Sequence, residues 1–299
     1  MPAEPEAIGI DIGGTNLRAA RVAAGGEILQ WFAERSVAEP VALVDRLVEM
    51  IGRLDNPHVD SVGIGVPGRV DALRGEVLSG GYVDLSSLPL ASTLAQRTGK
   101  RIFIDNDCNM ALVGEMAAGA ARGTANVAML TIGTGIGGAV ALDGRVLRGQ
   151  RSAGQFGHVT VDVGGLPCAC GRRGCVETTS SGTALGRHIR EAGLPADMTA
   201  GQLLGLRLEG DRRAEAVIRA WAEPLRAAID SLVAAFDPAL VLLGGGLGKA
   251  AALALQSAPA LSAWYQCPVA AATLGDDAGV IGSALAGRRE ADPEKKAVP

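Results

Sequence analysis

A short apolar strand, a glycine turn and a second strand occur twice in this chain, and that repeat constrains the fold more than any other feature. Ala7 to Ile12 stops at Gly13-Gly14-Thr15-Asn16, after which Leu17 to Ala23 is strand-like again; Val127 to Ile132 meets Gly133-Thr134-Gly135-Ile136-Gly137-Gly138 and leads into Ala139 to Leu142. A dinucleotide fold or a P-loop needs strand, glycine loop and then helix, so neither unit belongs to those classes. Small residues in such turns let backbone N–H groups approach an anion closely, and Thr15, Asn16 and Thr134 add side-chain donors. The two hairpins therefore read as phosphate loops, the first drawing on Asp11, Gly13, Gly14, Thr15 and Asn16, the second on Thr131, Gly133, Thr134 and Gly135. Two such units on two α/β lobes would face each other across a central ligand cleft, where paired domains commonly bind small molecules.

The remaining pattern fills in those lobes. Val41 to Leu54 has helical spacing, with Val41, Leu43, Val44, Leu47, Val48 and Ile51 on its buried side. Val62 to Val66 is a strand ending in a Pro67-Gly68 turn, and Ile102 to Ile104 is a strand running into Asp105-Asn106-Asp107 just before the helix formers of Met110 to Ala121. Arg212 to Phe236 carries Val217, Ile218, Trp221, Leu225, Ile229, Leu232, Val233 and Phe236 at helical spacing, with Pro224 expected to kink it. Leu240 to Leu243 ends in Gly244-Gly245-Gly246-Leu247-Gly248; a Walker loop there fails twice, at Leu243 and at Ala250, and the glycine run around Gly244 and Gly245 better suits a flat adenine lying against backbone. Ala278 to Leu285 reads as a closing helix. The expected division is a smaller domain from 1–107 plus about 276–290, a larger one from 108–275, and a disordered tail at 291–299.

Composition narrows the ligand. The 299 residues are 48% apolar, enough for two cores, while the net charge is only -4 and the basic residues are scattered. Neither a nucleic-acid stripe nor a membrane-binding face is present, so a small neutral or anionic ligand is expected. Met1 to Glu6 lacks the pattern of a leader, and nothing approaches ~20 uninterrupted apolar residues, which together predict a cytoplasmic protein. Of five cysteines, Cys108 and Cys267 stand alone and read as core thiols. The other three form Cys168-Ala169-Cys170-Gly171-Arg172-Arg173-Gly174-Cys175, which with His158 gives one imidazole and three thiolates, the ligand count of a closed structural zinc site with no open position for water. His58 and His188 have no such company and read as surface residues.

Taken in order and spacing, these segments resemble the ROK family of sugar kinases and repressors over almost the whole chain. The resemblance rests on the first phosphate loop, the strand ending at Pro67-Gly68, the Asn106-Asp107 pair, the second phosphate loop, the Gly157-His158 pair, the C-x-C-G-x-x-G-C-x-E segment ending at Glu177, and the Gly244-Gly245 loop. It implies an α/β, two-lobed, actin-like ATPase (ribonuclease H-like) fold and an ATP-dependent kinase acting on a primary hydroxyl of a hexose-like sugar, with a homodimer as the assembly. By the same resemblance Asp107 is the general base, while Pro67, Gly68, Asn106, Gln155, His158 and Glu177 contact the sugar and Asp11 with the two hairpins holds Mg²⁺ and ATP phosphates. A sugar hydroxyl attacking a γ-phosphorus does need a carboxylate within about 2.6–3.2 Å. Alternation along the strand end leaves Asp105 and Asp107 equal candidates, and only the family pattern selects Asp107. Asp is also a favoured helix cap, the competing explanation for Asp107. His158 is expected to give one ring nitrogen to zinc and the other to a sugar hydroxyl.

Two departures bear on substrate. Where the family usually has Glu two residues before the Gly-His pair, this chain has Gln155, and its Pro-Asn-Leu segment is replaced by Gly80-Gly81-Tyr82-Val83-Asp84-Leu85, so that Tyr82 or Asp84 takes the place of a sugar-contacting asparagine. A different hexose, an amino sugar or a cyclitol is as compatible with these residues as glucose. A catalytically silent or sugar-sensing ROK-type protein is the alternative; a repressor would need a helix-turn-helix before Ala7, where about six residues leave no room.

Overall fold

The structure, a computed structural model, describes residues 5–80, 83–264 and 266–291. Tyr82 and, of the expected tail, 292–299 lie outside the described residues. The chain divides into two compact units, one made of Met1–Gly123, Val146–Ala153 and Asp276–Pro299, the other of Thr124–Arg145 and Gly154–Gly275.

The first unit begins with β1 (Glu6–Ile12), β2 (Asn16–Val22), β3 (Ile28–Arg35), α1 (Pro40–Leu54) and β4 (Val59–Val66). A small hairpin of β5 (Arg69–Asp71) and β6 (Glu76–Ser79) follows, then α2 (Leu90–Thr98), β7 (Arg101–Asn106) and α3 (Asp107–Ala118). The sheet order is β3-β2-β1-β4-β7, with β1, β2 and β3 antiparallel and β1, β4 and β7 parallel. Parallel strands are covered on both faces, which is why β1 and β4 are almost continuously apolar while edge strand β3 alternates. One face is packed by Leu43, Leu47, Met50 and Ile51 of α1 and Leu90 and Leu94 of α2 against Ile8, Ile10 and Ile64. The buried stripe of α1 runs from Leu43 to Leu54; Val41, expected on it, is 59% exposed because it lies in the first turn, where Glu39 caps the Val41 and Ala42 amides.

The second unit repeats the design with β8 (Val127–Ile132), β9 (Ile136–Leu142), the short β10 (Arg145–Val146), α4 (Glu177–Ser180), α5 (Gly182–Glu191), α6 (Ala200–Leu208), α7 (Arg212–Phe236), β11 (Leu240–Gly244), α8 (Gly248–Ala254) and β12 (Val269–Ala271). Its sheet order is β10-β9-β8-β11-β12, again an antiparallel hairpin flanked by parallel strands, β8 beside β11 and β11 beside β12. Helix α7 runs unbroken for 25 residues with Pro224 inside it, buries the predicted Val217, Ile218, Trp221, Leu225, Ile229, Leu232 and Val233, and leaves Phe236 half-buried with its ring 5.8 Å from that of Phe156. No described helix is long and apolar enough to cross a membrane.

The chain then returns to the first unit as α9 (Asp277–Ala291), longer at both ends than the sequence suggested. It lies so close to the sheet that a Cβ on Gly9 would sit 1.9 Å from the Val280 carbonyl oxygen and one on Gly63 1.8 Å from that of Ser283. Helix α3 packs on α9 with the same intimacy, Gly282 facing the Met110 carbonyl. The division between units therefore does not fall at Asp107, as expected, but after Gly123, because α3 buries its side chains with α9, and the segment 146–153 joins the first unit as well.

Candidate active site

In the first unit the functional candidates gather at the C-terminal ends of parallel strands β1, β4 and β7, the edge of an α/β sheet where ligands bind. The β1–β2 turn is closed by the Gly13 amide donating to the Asn16 carbonyl at 3.0 Å, with the Thr15 carbonyl accepting from Ser36 N. The hairpin register sets Asp11 directly opposite Arg18, whose Nη1 lies 3.4 Å from Asp11 Oδ2 and whose Nη2 reaches Asp276 Oδ2 at 2.9 Å. Burial raises the Asp11 carboxyl above the ordinary range even though Arg18 pulls the other way. Counting back across the turn would have found Arg18, which sequence reasoning missed.

The β7–α3 junction sorts its three polar residues by role. Asn106 is the N-cap of α3: its Oδ1 accepts from the Cys108 and Asn109 amides, and its Nδ2 donates to the Gly68 carbonyl at 2.9 Å and to Asp107 Oδ1 at 2.8 Å. Gly68, at a φ of 98°, turns the chain after β4 so that this carbonyl faces Asn106. Asp107 is thus the first helical residue rather than the cap. Its Oδ1 also accepts from Cys108 N at 2.9 Å, and the Cys108 thiol is a further hydrogen-bond partner of the carboxyl. Desolvation, with the Asp11 carboxylate adding to it, pushes the Asp107 carboxyl up to about 6 despite the opposing hydrogen bonds. Asp105 is fully engaged: Oδ1 accepts from Asn106 N at 2.7 Å and Asn109 Nδ2 at 2.9 Å, and Oδ2 accepts from Arg148 Nε at 2.8 Å.

In the second unit the Gly133-Thr134-Gly135 turn is closed by the Gly133 amide donating to the Gly135 carbonyl at 2.9 Å, and its carbonyls are tied to the start of α5, Gly133 O by Gly182 N at 2.8 Å and Thr134 O by Thr183 Oγ1 at 2.8 Å. Glu177 Oε2 accepts from Ile136 N at 2.8 Å, and a Cβ at Gly135 would meet that oxygen at 2.5 Å, so the loop is built around this carboxylate. Gly244 ends β11 and Gly245, at a φ of 76°, packs so tightly on Ile132 backbone that a side chain is excluded, which places the glycine run beside the end of β8. Gln155 precedes a one-turn 3₁₀ helix, Phe156–His158, seated on the Ile136 backbone through Gly157.

Next to that turn, the ligand atoms of His158, Cys168, Cys170 and Cys175 all lie within 4.8 Å of one another. His158 Nδ1 is 3.6 Å from Cys168 Sγ and Cys170 Sγ is 3.6 Å from Cys175 Sγ. A tetrahedral zinc with Zn–S near 2.3 Å spaces its ligands by about 3.8 Å, so the donor set and its spacing fit the ion. Hydrogen bonds from Arg172 lower the Cys170 thiol to about 7, while burial raises Cys175. His58 is exposed as expected; His188 is not a free surface residue, since its Nε2 lies 3.0 Å from the Thr179 carbonyl.

Comparison with known proteins gives the chain its family. The model of the ROK family matches residues 7–289. The chain is 34% identical to the glucokinase of Thermotoga maritima over 302 residues, covering 93% of this chain and 95% of that protein. It is 32% identical to an N-acetylmannosamine kinase of Haemophilus influenzae over 290 residues, 93% of each. The crystal structure of a ROK family glucokinase from Streptomyces griseus in complex with glucose and AMPPNP superimposes with a TM-score of 0.81 at 30% identity, covering 95% of this chain and 99% of that one. The fold is the actin-like ATPase fold, built here from two α/β units.

Proposed function

Since the chain belongs to the ROK family, and the relatives it resembles are sugar kinases, we propose that it transfers the γ-phosphoryl group of ATP to the primary hydroxyl of a hexose or hexose-like sugar, with Asp107 as general base. The observation that carries this reading is the division of labour at the β7–α3 junction. Asn106 caps the helix, Asp105 is locked in an ion pair with Arg148, and Asp107 is the carboxyl with no cationic partner among the described residues, its proton affinity raised by burial.

A carboxyl held near 6 is mostly ionised at neutral pH, yet basic enough to draw a proton from a hydroxyl as it attacks. The proton passes to the Asp107 carboxylate, the hydroxyl oxygen bonds to the γ-phosphorus, and the bond to the β-phosphate oxygen breaks, releasing ADP. For Mg²⁺ and the phosphates the first unit offers the carboxylate and backbone donors of Asp11, Gly13, Gly14, Thr15 and Asn16, and the second unit those of Thr131, Gly133, Thr134 and Gly135, with Gly244 and Gly245 as its flat surface for adenine. Bound Mg²⁺ supplies charge neutralisation on the phosphates. For the sugar, the first unit offers Pro67, Gly68 and Asn106, and the second offers Gln155, His158 and Glu177. With Nδ1 of His158 turned to the thiols, its Nε2 is left for a hydroxyl, and Glu177 likewise keeps Oε1.

The test is ATP consumption across a panel of hexoses, amino sugars, N-acetyl sugars and cyclitols, with the phosphorylated position read by NMR. Sugar-dependent ADP release with the phosphate on a primary carbon is expected. Turnover by Asp107→Asn at the wild-type rate removes the base assignment, and an absence of sugar-dependent turnover removes the reading itself.

A further inference from the structure

The segment 146–153 lies between two stretches of the second unit, yet it packs on the first. It is pinned there at three points. Arg148 Nε donates to Asp105 Oδ2 at 2.8 Å, Arg151 Nε lies 3.8 Å from Asp71 Oδ2, and Ser152 Oγ accepts from Arg69 Nε at 3.0 Å. The turn is closed on itself by Ala153 N donating to the Arg148 carbonyl.

The first of these pins differs from the others in what it holds. Asp105 is 2% exposed, and among the described residues Arg148 is its one cationic partner. A carboxylate so deep needs that partner and a full set of donors. With them it becomes a rigid three-donor hub: Arg148 on one oxygen, the Asn106 amide and Asn109 Nδ2 on the other. Asn109 is itself buried, and its Oδ1 has no partner, so its side chain is fixed through Asp105. The Asn106 side chain in turn orients Asp107 Oδ1 and the Gly68 carbonyl. The guanidinium also lies over the Phe103 ring, 5.5 Å from its centroid, which limits its own freedom.

The geometry points to Arg148 as a positioning residue for phosphoryl transfer, acting through Asp105 to fix the first turn of α3 and with it the aim of Asp107 and Asn106. This rests on the reading of Asp107 as the base. Among the described residues no hydrogen bond or ion pair joins the guanidinium to Asp107 or to a residue proposed to hold the sugar or the phosphates, so its effect falls on orientation. Misplacement of a reacting group by about 1 Å can cost on the order of 10² in rate.

The experiment combines steady-state kinetics with amide hydrogen exchange on the intact chain. Arg148→Ala is expected to lower kcat by about 10- to 100-fold while KM for ATP stays within about threefold, and added guanidinium ion to restore part of kcat but nothing to Asp107→Asn. Peptides spanning 105–110 should exchange faster in Arg148→Ala by roughly tenfold or more, with the second unit's strands unchanged. If Arg148→Ala does not fold, Asp105→Asn/Arg148→Met, which strands no charge, takes its place and should show the same slow turnover and loosened first turn. Wild-type kcat and wild-type exchange in these variants would overturn the proposal. A wild-type protein inert toward every sugar would fail the kinase reading alone, because the exchange measurement still decides whether Arg148 fixes the turn.

Discussion

Arg148 Nε sits 2.8 Å from Asp105 Oδ2, and this single ion pair separates the roles of two carboxylates that stand two residues apart in the chain. Asp105 is tied to a cation while Asp107 has none beside it among the described residues, a distinction that alternation along β7 did not make.

The two conservative amides should therefore fail differently. Asp107→Asn keeps shape and hydrogen-bonding reach but accepts no proton, so turnover falls by about 10²-fold or more while ATP still binds. Asp105→Asn weakens a charge-assisted bond and leaves Arg148 without its counter-ion, which costs about 1.5–3 kcal/mol of stability, with a smaller loss of turnover. Urea unfolding alongside kinetics checks both. Equal stability loss in the two variants would contradict the assignment.

Asp107 as the proposed base, its carboxyl held up at about 6, should leave a signature in pH. Turnover needs the ionised form, so kcat/KM should rise with pH and level off above an apparent pKa of about 6. Stability runs the other way. The folded-state pKa is raised above the ordinary carboxylate value of 3.8, so the folded state holds this proton more tightly, and its contribution is lost as pH climbs through about 6. Asp107→Asn, with no charge to desolvate, should melt higher than wild type at neutral pH and lose that advantage in acid. Thermal scans at several pH values test the sign.

What the sequence made legible follows from how local each signal was. Both glycine hairpins could be read because apolar strands and dense glycine turns are contiguous in the chain, and so could the Cys168 to Cys175 cluster with His158. The burial of Val217 to Val233 was readable from helical spacing. The unit boundary was not, since it depends on α3 meeting α9 through Gly114 and Gly282, residues more than 160 positions apart with no periodic signal of their own. Arg148 gave no sign either: an arginine in a glycine-rich loop acquires its role only when the chain folds back onto β7. The capping of α3 by Asn106 instead of Asp107 turned on one residue of register, finer than helix-former composition resolves.

The thiol cluster makes a prediction that is independent of catalysis. Protein purified without added metal should hold about one zinc per chain, and Cys175→Ser, at a position with 0% exposure, should lose the metal and several degrees of melting temperature. Elemental analysis and chelator titration followed by thermal denaturation measure this. Folded, active protein with no zinc would refute it.

Gln155 bears on substrate choice. It stands where the family pattern has glutamate, immediately before the 3₁₀ turn that carries His158, and its backbone carbonyl accepts from His158 N at 3.1 Å. The amide offers one acceptor oxygen and a donating NH₂ in place of an ionised carboxylate. Charge-assisted bonds to sugar hydroxyls are weakened in consequence, and a hydrogen bond to a charged group is typically worth about 1.5–3 kcal/mol. Unmodified glucose should then be used roughly ten- to a hundredfold less efficiently than by Gln155→Glu, whereas a substrate with an acceptor at that edge, such as the carbonyl of an N-acetyl group, should favour the wild type. Comparing kcat/KM for glucose, mannose, their amino and N-acetyl derivatives and a cyclitol in the two proteins decides the matter. Preference for glucose at undiminished efficiency in wild type, with no gain in Gln155→Glu, would show that this amide does not set specificity.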